Sequence, residues 1–200
     1  NKGDIKIVAI RDYAKSDYIK GVRLAVEEIN SSSEKLLGRN IELSIIDEGA
    51  NFKESKPIIR RIAGDPKVTA VLGHRKSSIA VPASVIYEKS QVIFLPSFAT
   101  SKMLTGHNFQ YVFRMAPNNE TMAKQLASVA NILGYENVVI LYARDDVSRE
   151  LAFVFEEASL NKGIKLVKRA SFFESEKNFR SIISQFNTDP FDAIFIASGV

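Results

Sequence analysis

Two short segments put small, hydroxyl-bearing residues where an apolar run gives way to a helix-like pattern. After Val68 to Gly73 come His74, Arg75 and Lys76, and then the pair Ser77 and Ser78. A helix start leaves backbone N–H groups without intrahelical partners and carries the positive end of the helix dipole, so it favours a carboxylate. The serine hydroxyls add donors. The same pair also serves as a plain helix cap, and both roles stay open at this point. The second segment follows Val92 to Leu95, where Ala99, Thr100 and Ser101 either form an ordinary turn or let a ligand approach the main chain. His74, Arg75 and Lys76 make the first segment cationic, which suits an anionic ligand or simply a solvated loop.

Other chemistries find less support. His74 and His107 are the two histidines, far apart and without clustered carboxylates, so no metal site is expected. Lys76-Ser77 has the ending of a phosphate-binding loop, but Arg75 precedes it and the glycine frame is missing. The acidic pairs Asp47-Glu48 and Asp145-Asp146 suit Mg²⁺ or phospho-acceptor chemistry, or else carboxylates that cap nearby helices. With no cysteine there is no thiol nucleophile, thiolate metal site or disulfide. The expectation is a protein that is not an enzyme and needs no cofactor.

The elements that must hold these loops follow from periodicity. The 200 residues are 46% apolar and 25% charged, a balance that builds a packed core rather than a disordered chain. Net charge is +4, and basic residues alternate with acidic ones, as in Lys53, Glu54, Lys56, Arg60, Arg61 and Asp65. That reads as solvated helix faces and not as a nucleic-acid surface. No apolar run is long enough to span a bilayer, and Asn1 to Asp4 is too polar to open a secretory signal. Strands are expected at Asp4–Ile10, Ile41–Asp47, Val68–Gly73 and Val92–Leu95, with helices at Asp17–Asn30, Phe52–Ala63 and from the serine pair to Lys89. Pro57 and Pro82 fit these helices only near their first turns.

Strict alternation with short connections predicts a parallel sheet covered on both faces. The rhythm breaks between Thr100 and Asn119, with a lone extended piece at Tyr111–Met115. It then resumes with helices at Glu120–Leu133, Val147–Asn161 and Asn178–Phe186, and strands at Val138–Tyr142, Leu166–Phe172 and Ala193–Ala197. The fold class is α/β, in two doubly wound parallel-sheet lobes, residues 1–116 and 117–200. The chain stops just after a strand, so the second lobe is expected to be incomplete and the chain to be part of a longer one.

Several segments also carry a resemblance. GVRLAVEEIN (Gly21 to Asn30), IELSIIDEGANFKESKPIIRRI, DPKVTAVLGHRKSS (Asp65 to Ser78), VIFLPSFATSKMLT (Val92 to Thr105) and YVFRMAPNNE (Tyr111 to Glu120) resemble type I periplasmic solute-binding proteins. Within them the chain is similar to the leucine/isoleucine/valine receptors of ABC transporters. The resemblance implies a binding cleft between two lobes that close by hinge motion. It implies capture of a small polar ligand, an amino acid or related carboxylate, for uptake through a membrane permease. It also implies a periplasmic or extracellular location, with tethering as a lipoprotein as one form of it. The alternative is a sensory or regulatory ligand-binding domain of a signalling receptor on the same fold.

By that resemblance Ser77 and Ser78 line the ligand site, and Ala99 and Thr100 present a carbonyl, an amide and a hydroxyl to the ligand's ammonium and carboxylate. Ser97 belongs to the same loop, which holds an extra residue, Phe98. Where the family has a Gly/Pro-rich loop after the first strand, this chain has Arg11, Asp12 and Tyr13. Tyr13 is an aromatic contact to the ligand or an exposed loop residue. The family's Tyr-Gly pair in the second lobe is replaced by Val147 and Ser148.

Overall fold

The computed structural model of the chain describes residues 3–12, 17–186 and 189–198. It divides into two compact units, Asn1–Ala116 and Pro117–Val200. In the first, β1 (Ile5–Arg11), β2 (Ile41–Asp47), β3 (Val68–Leu72) and β4 (Ile93–Leu95) make an all-parallel sheet in the order β2-β1-β3-β4. Parallel neighbours need long crossovers. Helices α1 (Asp17–Ser31), α2 (Phe52–Ala63) and α3 (Ser77–Lys89) supply them. With β1 central, its connection leads to β2 on one side, whereas β3 leads to β4 on the other. The crevice between the ends of β1 and β3 is therefore the topological switch point, where ligands collect in open α/β sheets.

The apolar stripes of α2 and α3 close this core. Ile59 and Ile62 of α2 and Ile79, Ala80, Ala83 and Tyr87 of α3 pack with Val8, Ile10, Val71 and Phe94 of the sheet. Asn51 starts α2 by accepting from the Glu54 amide at 3.1 Å, while Glu54 accepts in return from the Asn51 side chain at 2.9 Å. Pro57 and Pro82 are each the sixth residue of their helix, in the second turn and not the first as expected, so each helix forgoes one ladder bond there. The lone extended piece adds to the sheet edge. Val112 makes a parallel bridge with Phe94, and the Glu88 carboxylate accepts from the amides of Gln110 and Tyr111 at 2.9 and 2.8 Å.

The second unit holds α4 (Asn119–Ile132), β5 (Asn137–Ala143), α5 (Asp146–Leu160), β6 (Lys165–Phe172), α6 (Arg180–Ile183) and β7 (Ala193–Ala197). Its parallel sheet has the order β6-β5-β7. The central strand β5 is apolar on both faces, as a strand covered on both sides must be. Val138 and Ile140 pack with Ala123, Ala127 and Phe155 on one face, and Val139 and Leu141 with Phe172 and Phe186 on the other. The single helix expected over Asn178–Phe186 is instead α6 followed by a 3-10 turn at Ser184–Phe186. The Asn178 side chain accepts from the Arg180 amide at 3.1 Å, a local turn bond that immediately precedes α6. The tighter final turn ends with Phe186 in the core. Among the described residues no helix is long and apolar enough to cross a membrane.

Candidate functional site

The loop after β3 is shaped first by Gly73. Its φ is +127°, and a Cβ there would lie 2.6 Å from Ile10 Cβ, so only glycine lets the end of β3 pass β1 so closely. His74 then turns inward. Its Nδ1 lies 2.6 Å from Glu48 Oε1 and its Nε2 lies 3.1 Å from the Tyr87 hydroxyl. Glu48, His74 and Tyr87 are all buried. Burial, and then the Glu48 charge, raise the Tyr87 phenol well above its ordinary range. Tyr87 therefore stays a donor.

His74 is not part of a cationic rim, because its ring is buried among Glu48, Tyr87 of α3 and Phe94. Nor is Arg75 a free cation, since its Nη1 donates to Asp12 Oδ2 at 2.9 Å. Of the three residues Lys76 alone is exposed. Glu48 is likewise not a helix cap but the partner of His74, while Asp47 faces Arg11 on the outside at 2.5 and 3.0 Å. That guanidinium holds the Asp47 carboxyl below the usual carboxylate range. Asp145 does cap α5, accepting from the Ser148 amide at 2.9 Å. Val147 and Ser148 both lie in the first turn of α5, Ser148 buried.

Neither serine caps α3. Lys76 occupies the cap position and Ser77 is the first helical residue. The Ser77 hydroxyl is thereby free to reach the neighbouring loop, where its Oγ accepts from the amides of Thr100 and Ser101 at 3.1 and 3.2 Å. These bonds join the loops after β3 and β4 at the carboxyl ends of adjacent strands. Arg114 braces the second loop, donating through Nη1 to the Ser101 carbonyl at 2.8 Å and through Nη2 to Thr105 Oγ1 at 2.9 Å.

The expected site residues are not all presented alike. Ser78 is exposed, Ser97 and Thr100 are half-buried, and Ser77 is buried. Ala99 is 2% exposed and packs in the core. The Thr100 amide is already engaged by Ser77, whereas no partner of its hydroxyl is found among the described residues. Tyr13 lies outside the described residues. Sequence reasoning missed Asp12, Arg114 and the Glu48-His74-Tyr87 set. Phe98, the extra residue of the loop, is exposed, with the Arg75 guanidinium 5.7 Å from its ring centre and Tyr18 edge-on at 6.0 Å. Burial pushes the Tyr18 phenol up to about 12.

The parallel sheets and their strand orders place the chain in the class of α/β folds found in type I periplasmic binding proteins. Residues 20–198 match the family described as "Receptor family ligand binding region", and the chain belongs to that family. It is similar to an amino acid binding protein of Pseudomonas aeruginosa, 25% identical over 180 residues, which are 89% of this chain and 48% of that protein. An ABC transporter substrate-binding protein from Desulfitobacterium hafniense in complex with Leu has 31% identity and a TM-score of 0.86. The match covers 97% of this chain and 58% of that one. The fold is also that of a branched-chain amino acid transporter substrate binding protein from Streptococcus pneumoniae, in complex with isoleucine. That pair is 23% identical with a TM-score of 0.80, covering 96% of this chain and 56% of the other. The chain spans about half the length of the curated relatives it matches.

Proposed function

We propose that the chain is part of the binding region of an amino-acid-binding protein, which captures a neutral, branched-chain type of amino acid for an ABC transporter. The observation that carries this reading is the Ser77 hydroxyl bound to the Thr100 and Ser101 amides. It builds two strand-end loops into one polar surface beside the start of α3, where a ligand carboxylate gains from free N–H groups and the helix dipole. Ser77, Ser78, Ser97, Ala99, Thr100 and Tyr13 are its proposed contacts. Relatives named as binding proteins rather than enzymes support capture without chemistry. A permease partner and a periplasmic or extracellular location complete the proposal.

The test is a thermal-shift screen of the full-length protein with the common amino acids, followed by titration calorimetry. Leucine or a relative at about a hundred times its Kd should add about 2.7 kcal/mol to the folded state. The ligand should be recovered unchanged. A melting point that no amino acid moves would sink the proposal.

A further inference from the structure

Asp12 and Arg75 face each other across the switch-point crevice. Asp12 follows the last residue of β1, and Arg75 stands two residues ahead of Ser77, the first residue of α3. Their side chains are 17% and 26% exposed and joined at 2.9 Å. Arg75 also lies over Phe98, the neighbour of Ala99. The other carboxylate oxygen, Asp12 Oδ1, is buried and has no hydrogen-bond partner among the described residues.

This arrangement has a consequence for ligand charge. A guanidinium stays charged throughout the working pH range and matches a carboxylate's two oxygens, so Arg75 alone would attract an acidic ligand. Asp12 cancels that attraction. A ligand carboxylate that drew Arg75 away would leave Asp12 largely buried, with neither oxygen hydrogen-bonded by a described residue. Breaking a buried pair from one side is strongly unfavourable, because the charge left behind has lost both water and partner. An uncharged side chain leaves the pair undisturbed. Discrimination then comes from the penalty on the wrong ligand rather than from extra contacts to the right one.

We propose that Asp12 is a specificity-determining residue, whose ion pair with Arg75 at the crevice between β1 and β3 restricts the site to amino acids with uncharged side chains. The inference rests on the reading that the joined loops at Ser77 and Thr100 bind an amino acid.

The test is titration calorimetry of the full-length protein with leucine and with glutamate. The unmodified protein should prefer leucine by about a hundredfold or more. Asp12→Asn, which keeps the shape and removes the charge, should narrow that ratio at least about tenfold by strengthening glutamate binding. Adding Arg75→Gln to it should restore the original ratio. Asp12→Ser serves the same purpose should the asparagine variant fold poorly. An unmodified protein that binds glutamate as tightly as leucine overturns the inference without any variant. So do Asp12 variants that bind leucine and leave the ratio unchanged, and in that case the amino-acid-binding reading survives. A protein that binds no amino acid overturns both.

Discussion

Ser77 and Thr100 sit at the same junction but act differently, and two substitutions separate them. Ser77→Ala removes the acceptor of two amides, one of them on buried Ser101. A stranded buried donor costs about 1–3 kcal/mol, so denaturant unfolding should show a loss of that order. Thr100→Val keeps the shape and deletes a hydroxyl with no partner among the described residues. The turn that follows is capped by Ser101, whose hydroxyl accepts from the Met103 amide at 3.3 Å, so Thr100 is not needed there. Stability should change by less than about 0.5 kcal/mol. If the hydroxyl serves a ligand carboxylate, calorimetry with leucine should show affinity falling by roughly tenfold to over a hundredfold. Beneath this junction, one proton arrangement satisfies the whole Glu48-His74-Tyr87 set: Nδ1–H donates to Glu48, and the Tyr87 hydroxyl donates to Nε2. Tyr87→Phe would strand Nε2 in the core at nearly constant volume, at a cost of about 1–3 kcal/mol measured by chemical unfolding.

At the scale of elements, the strands and helices were legible because their signals are local and repeated along the chain. Alternating β-branched runs and helix-spaced apolar residues survive any detail of tertiary contact. The loop after β3 was harder to read, because its meaning depends on what lies across the sheet. His74, Arg75 and Lys76 look alike in sequence, yet Glu48 and Tyr87 enclose the first, Asp12 pairs with the second, and the third stays in water. Ser77 carried the right residue type but was legible only as a cap or a ligand contact, since its partners are 23 and 24 residues away. The expectation of one helix over Asn178–Phe186 fails at its far end, where Ser184–Phe186 tightens into a 3-10 turn, a change of hydrogen-bond spacing that apolar periodicity does not register. Asp192 shows how one residue fixes an element. Its Oδ2 accepts from the amides of Glu136 and Asn137, both at 2.8 Å, tying the starts of β5 and β7. These amides lower its pKa, so the stability it contributes is present above the ordinary carboxylate pKa and is lost as pH falls through the depressed folded value. Asp192→Ala should therefore lower the melting point at neutral pH, with the difference from wild type shrinking below about pH 4. A difference that grows on acidification would contradict the assignment.

At the scale of the molecule, the division of the chain follows the division of its cores. Fully enclosed Ile59 belongs to the core of the first unit, and Ile140 to one of the two clusters on β5. Sequence periodicity can place such residues on a buried face, but not tell which buried faces share one core, because that depends on pairings such as Phe155 on Phe195, with ring centres 3.8 Å apart. If each unit is stabilised by its own core, a cavity in one should raise local opening there and leave the other unchanged. Replacing a buried isoleucine by alanine costs about 2–5 kcal/mol through lost transfer energy and the cavity left behind. Ile59→Ala should accordingly speed native-state amide exchange in β1, β3 and α3 by the equivalent of that cost, and leave β5 and α5 near their original rates. Ile140→Ala should give the reverse pattern. Segment-resolved mass spectrometry of the exchanged protein reads both at once. Faster exchange in all these segments for either variant would mean that the two cores unfold as one cooperative unit.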